Sequence, residues 1–223
     1  MDGLLINTED LYTVVTNEIL AEHGKGPLKW DVKIQLQGLP GPEATKKVLD
    51  HFELPLTSEQ FNELQVAKQL SKWPTCSFLP GALDLIKDLK ARNIPIALCT
   101  SSAEHKYEGK TSHLRHGFDL FDVTIMGDDP RIQPGKGKPH PDIYLLGLNE
   151  LNRKFKTDIK PEECLVFEDG VPGVKAAKSA GAFVVWVPHP EAYEVLGDTD
   201  AILEGKGILL PSLMHFDLAR FGF

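Results

Sequence analysis

A chain of 223 residues, 42% hydrophobic and 25% charged, carries enough apolar material to bury a full core and is too apolar for a disordered segment. Its 24 Lys and Arg against 32 Asp and Glu leave a formal charge of -8, which argues against nucleic acid as a partner, because electrostatic attraction supplies most non-specific affinity for a polyphosphate backbone. No stretch approaches the about 20 apolar residues of a membrane span, and the first residues lack the basic and apolar regions of a secretory signal, so a cytoplasmic, monomeric protein with no membrane partner is expected. Cys76, Cys99 and Cys164 stand singly with no Cys-x-x-Cys spacing, and each reads as a buried free thiol in a reducing compartment.

The chain opens on "MDGLLINTED", a run of turn-forming residues of the kind that follows a strand. From Asp10 to about Trp73 the apolar residues recur at helical spacing, as in Leu11, Val14, Val15 and Ile19, and later Val48, Leu49 and Phe52. Gly26-Pro27 and "QGLPGPE" separate the helices, and Thr57-Ser58 ahead of Glu59 and Gln60 predicts a helix start. After Pro80 an amphipathic stretch, "GALDLIKDLKARN", leads into the apolar runs "IPIALCT", "VTIM", "CLVFE" and "AFVVWV", each separated by helix-like segments. Strands alternating with helices predict an α/β fold with a doubly wound parallel sheet. The expected organisation is a core of residues 1–9 and 77–223 with a helical insertion at 10–76, and the tail offers one more strand at "AILE" and a weak last helix.

Ligands of doubly wound sheets bind at the carboxyl ends of the strands. Those positions hold Thr100, Ser101 and Ser102 after "IPIALC", Glu168 and Asp169 after "CLVF", Asp128 and Asp129 after "VTIMG", and Asp2 at the opening turn; Lys138 lies in the loop "GKGKPHPD". Carboxylates suit Mg²⁺, while hydroxyl groups, backbone amides and an ammonium suit phosphate oxygens, so the set predicts phosphoryl transfer through magnesium. Each residue also has a plainer reading: Lys138 as a solvated charge, Thr100 to Ser102 as a helix cap, Asp128 and Asp129 as a turn or a further acid near the metal. His105, His113, His116 and His140 share no metal-ligand spacing and read as surface residues.

The motifs "MDG", "ALCTSS", "GKGKPHPDIY" and "VFEDGVPGVKAAKSAG", in that order, resemble those of the haloacid dehalogenase-like phosphatases. Within that family "MDGLLINTE", "CTSS", "GDDP" and "GKPHPDI" are similar to the pseudouridine-5'-phosphatase and sugar-phosphate phosphatase group. The resemblance implies a Rossmann-like core with a small helical cap, a Mg²⁺ cofactor and a small phosphorylated metabolite as substrate. It implies Asp2 as general acid and base whose carbonyl also binds the metal, Thr100 with Ser101 and Ser102 on the phosphate, Lys138 on phosphate and nucleophile, and Glu168 and Asp169 as metal ligands. The attacking aspartate would stand just before Met1 on a central strand, so the chain as written is expected to be inactive and poorly stable. The stretch "VKIQLQGLPGPEA" would form the closing part of the cap, with Gln35, Gln37 and Leu39 setting specificity. A phosphosugar mutase and a non-catalytic binding protein of the same fold are the alternatives.

Overall fold

The structure, a computed structural model, describes every residue except Gly38, Pro40 and Phe223, so part of the "QGLPGPE" punctuation lies outside the described residues. Residues 1–7 form a tight turn in which the amides of Leu5 and Ile6 return to the Met1 carbonyl at 2.8 and 3.2 Å. Gly3 takes φ +66° there, a left-handed conformation that costs glycine little. Four helices follow: α1 (Thr8–Glu22), α2 (Trp30–Lys33), α3 (Gly41–Phe52) and α4 (Ser58–Lys72). Thr57 accepts the Gln60 amide, and Gln60 reaches back to the Thr57 amide, a capping box that starts α4 at the predicted place. The apolar stripes of these helices meet in a cluster of their own, around Val15, Ile19, Val48 and Phe61.

Beyond Trp73 the chain alternates helix and strand. In order come α5 (Ala82–Ala91), β1 (Ala97–Cys99), α6 (Glu104–Thr111), α7 (Arg115–Phe118), β2 (Val123–Ile125), α8 (Asp142–Phe155), β3 (Leu165–Glu168), α9 (Val171–Ala180), β4 (Phe183–Trp186), α10 (Thr199–Leu203) and β5 (Gly207–Leu209). Every strand pair is parallel, β1 with β2 and β4 between β3 and β5, as helical crossovers require. The four predicted apolar runs each carry a strand, and the fold is α/β. "AILE" does not: it lies in and just after α10, because Asp198 accepts the Ala201 amide and caps a helical turn, and the fifth strand begins only at Gly207. The predicted last helix is reduced to two short 3₁₀ turns, Leu213–His215 and Leu218–Phe221.

Among the described residues β1 and β3 do not pair with each other. Both line a cavity of about 520 Å³, together with Met1, Leu4 and Leu5. All three cysteines are free; Cys76 is buried as expected, whereas Cys99 and Cys164 are only half-buried. No helix among the described residues is long and apolar enough to cross a membrane.

Candidate active site

The carboxyl ends of β1 and β3 carry the chemistry. Thr100 directly follows β1, is 3% exposed, and its hydroxyl accepts the Ser102 amide at 3.1 Å. That short turn aims the Ser102 hydroxyl at Asp2, to which it donates at 2.9 Å. Ser101 faces solvent, and its carbonyl lies against Gly127, where a Cβ has no room. Asp128 accepts the Glu104 amide at the start of α6, and Asp129 pairs with Arg131 of its own turn at 2.7 Å.

Lys138 is not a solvated charge. It is 8% exposed, its ammonium stands 2.6 Å from Glu168 Oε1, and it donates to the Cys99 carbonyl at 3.3 Å. The Tyr144 hydroxyl donates to the same Glu168 oxygen, and the Asp169 amide donates to the other at 3.2 Å. Gly173 in the first turn of α9 allows this, since a Cβ there would collide with the Glu168 carboxyl group. The Trp186 indole donates to the Asp169 carbonyl at 2.8 Å and fixes the acidic turn from β4. Burial opposes ionisation of Glu168, but the Lys138 ammonium overrides it and holds the carboxyl below its ordinary range. Asp169 goes the other way: burial first, then the negative charges of Glu168 and Glu9, push its pKa well above the usual value.

An acidic turn of this kind is short of positive charge. Among the described residues no three His, Cys, Asp or Glu side chains converge on one point, so a cation at this turn would have two carboxylates, Glu168 and Asp169. Mg²⁺ commonly takes only one or two protein carboxylates and fills its other positions with water and phosphate, so the donor set fits it. Gly3 brings the opening turn close to this point: a Cβ on it would stand 2.6 Å from Asp169 Oδ2 and from Glu9 Cγ.

The helical segment adds Gln37, 5% exposed, whose amide donates to Glu9 Oε2 at 3.3 Å while its carbonyl oxygen is buried without a partner. Gln35 does not join it; it is exposed, and its amide returns to the Asp31 carbonyl of its own turn. Leu39 is half-buried.

Sequence reasoning overlooked two lysines. Lys33 donates to the Glu9 carbonyl at 2.8 Å and lies 4.3 Å from the centre of the Trp30 ring. Lys110, with no exposed surface, donates to both Asp2 oxygens at 2.7 and 2.9 Å, to Ser102 Oγ at 2.6 Å and to the Tyr12 hydroxyl at 3.1 Å. The signal for Lys110 was present: Tyr107, Lys110, Thr111 and Leu114 follow helical spacing on a buried face, and a charge on such a face implies a buried partner. Tyr144, Thr8 and Tyr12 were also overlooked.

Comparison with known proteins gives the family. Residues 1–181 match the family model described as haloacid dehalogenase-like hydrolase. The chain is 66% identical over 222 residues to a "Probable pseudouridine-5'-phosphatase" of Saccharomyces cerevisiae, covering 100% of this chain and 94% of that protein. It is 37% identical to (DL)-glycerol-3-phosphatase 2 of Arabidopsis thaliana, over 85% of this chain and 78% of that one. Among solved structures, CbbY from Rhodobacter sphaeroides in complex with phosphate superposes with a TM-score of 0.73 at 26% identity, covering 100% of this chain and 96% of that one. The chain therefore belongs to the haloacid dehalogenase-like hydrolase family, as one of its phosphatases.

Proposed function

We propose that the protein is a Mg²⁺-dependent phosphatase of small phosphomonoesters, with pseudouridine 5'-phosphate as the substrate of choice. The observation that carries this reading is the convergence of Asp2, Ser102, Lys138 and the Glu168-Asp169 turn, four separate stretches of chain, beside the carboxyl ends of β1 and β3. The name of the 66% identical yeast relative supports the substrate.

In this reading Glu168, Asp169 and the Asp2 carbonyl hold Mg²⁺, which when bound offsets phosphate charge. Thr100 and Ser101 receive the phosphate oxygens, Ser102 being held instead on Asp2 and Thr100, and Lys138 neutralises both phosphate and nucleophile. The Asp2 carboxyl protonates the departing alcohol and later takes a proton from water. The attack on phosphorus is made by a carboxylate, which forms an aspartyl-phosphate that water then hydrolyses. Helices α1 to α4 act as a cap, with Gln37 facing the substrate and Gln35 turned away from it.

The test is a panel of phosphorylated metabolites assayed with the full-length protein, with Mg²⁺ and with a chelator. Mg²⁺-dependent release of inorganic phosphate, fastest from pseudouridine 5'-phosphate, is expected. Migration of the phosphoryl group without release would make the protein a mutase, and no turnover of any ester would overturn the reading.

A further inference from the structure

We propose that Trp30, stacked on His189, is the positioning residue that seats α2, and with it Gln37, over the acidic turn; the inference rests on the reading of α1 to α4 as a cap over the site. A helix as short as α2 has no stability of its own, so contacts with distant segments must fix where it lies. Its turns run on from Trp30 to Gln37, whose backbone amide returns to the Lys33 carbonyl at 3.2 Å, and they carry two apolar faces. Val32 and Leu36 pack into the cluster of the cap, with Val15 and Ile19. Trp30 and Ile34 pack the other way, into the cluster that holds Val174 and Trp186 of the α/β core.

The loop after β4 presents His189 to that second face. Its ring centre lies 4.5 Å from that of Trp30, with the planes 21° apart. The imidazole is itself fixed at both nitrogens: Nδ1 accepts the Glu191 amide at 3.3 Å, and Nε2 stands 3.3 Å from Asp10 Oδ1 in the first turn of α1. From Trp30 the seat reaches the site in short steps. Lys33, whose ammonium lies against the Trp30 ring, and Gln37 both hold Glu9 Oε2 at 3.3 Å. A Cβ on Gly170, the residue after Asp169, would stand 3.6 Å from Gln37 Cβ, so this turn of the cap rests directly on the acidic turn. The cap has an apolar cluster of its own, and what the Trp30 face adds to it is a fixed place for α2 against the core. A stacked aromatic pair is a contact of moderate strength, which holds the segment and still lets it release.

The experiment compares two substrates in the full-length protein: pseudouridine 5'-phosphate, large enough to meet the cap, and acetyl phosphate, too small to do so. Undocking α2 lowers apparent affinity by the fraction of molecules in which it is still seated. His189→Ala and Trp30→Ala should each raise KM for the nucleotide by about 10-fold, the scale of one aromatic pair, with kcat changed by less than about 3-fold. Turnover of acetyl phosphate should stay within about 2-fold, the double variant should lose no more than either single one, and His189→Phe, which keeps a ring for Trp30, should restore the nucleotide KM. An unchanged KM, an equal loss on both substrates, or a Phe variant no better than Ala would overturn the proposal. Should Trp30→Ala fail to fold, His189→Ala reads the same split with Trp30 in place. Trypsin gives a readout that needs no turnover: cleavage after the exposed Lys29 should be about 10-fold faster in His189→Ala than in wild type, and equal rates would overturn the docking. Failure of the phosphatase reading is distinguishable, because the wild-type protein would then turn over neither substrate while the trypsin rates would still differ.

Discussion

Of the three buried lysines that pair with carboxylates among the described residues, Lys138 and Lys110 hold theirs beside the strand ends, and these two pairs differ in what they leave undone. Lys138 and Tyr144 satisfy Glu168, yet the neighbouring Asp169 carboxyl remains crowded by Glu168 and Glu9 with no cation of its own. Lys110, Ser102, Thr8 and Tyr12 satisfy Asp2 completely. Although burial opposes its charge, the Lys110 ammonium holds Asp2 well below the ordinary carboxylate range. The difference teaches that buried charge serves two ends here: the Glu168 turn is an electrostatic deficit suited to a bound cation, and the Asp2 cluster is a closed unit whose donors keep the carboxylate ionised.

The strongest way to break the first pair is Glu168→Ala. It strands Lys138 and the Tyr144 hydroxyl without their partner, and should cost about 3–5 kcal/mol in urea unfolding together with all Mg²⁺-dependent turnover. A milder result, under about 1 kcal/mol, would show that the pair is solvated and the contrast misplaced. Next in size is Gly173→Ala, which drives a methyl group against the Glu168 carboxyl that Lys138 and Tyr144 hold in place. A loss of about 1–3 kcal/mol is expected, with weakened Mg²⁺ binding by calorimetry.

Asp169→Asn sharpens the contrast because its sign is opposite. A carboxyl whose folded pKa is raised keeps its proton when the unfolded chain has released it, so it lowers stability as pH rises above about 4. Without divalent cations the variant should therefore be more stable than wild type at pH 7, by up to about 2 kcal/mol, with the gap closing below about pH 4; added Mg²⁺ should raise the Tm of wild type alone. Asp2 and Glu168 run the other way: their folded pKa values are lowered, so the stability they contribute is complete above about pH 5 and is lost as pH falls. Smallest is Thr57→Ala, which removes the α4 cap and should cost about 1 kcal/mol in urea unfolding while leaving Mg²⁺-dependent turnover unchanged.

The alternation of helix and strand was legible because parallel strands buried on both faces are continuous apolar runs bounded by turn residues, as at "CLVFE" and "AFVVWV". "AILE" misled because a run of four carries no period, and one carboxylate, Asp198, was enough to decide for a helical turn. Gln35 and Gln37 part company because residues two apart on a helical turn point to different sides: Gln37 is buried, and Gln35 is exposed on its own turn.

The sequence by itself determined the residue types at the strand ends and their order along the chain, because a doubly wound topology puts those positions at one edge whatever the details of packing. Only the tertiary structure decided their partners. Lys138 changed from a polar loop residue to a buried cation when Glu168, thirty residues along, folded against it, and Lys110 found Asp2 across 108 residues. A side chain's charge is local information, but what neutralises it depends on which distant segment the same burial brings within about 3 Å, and local periodicity does not carry that pairing.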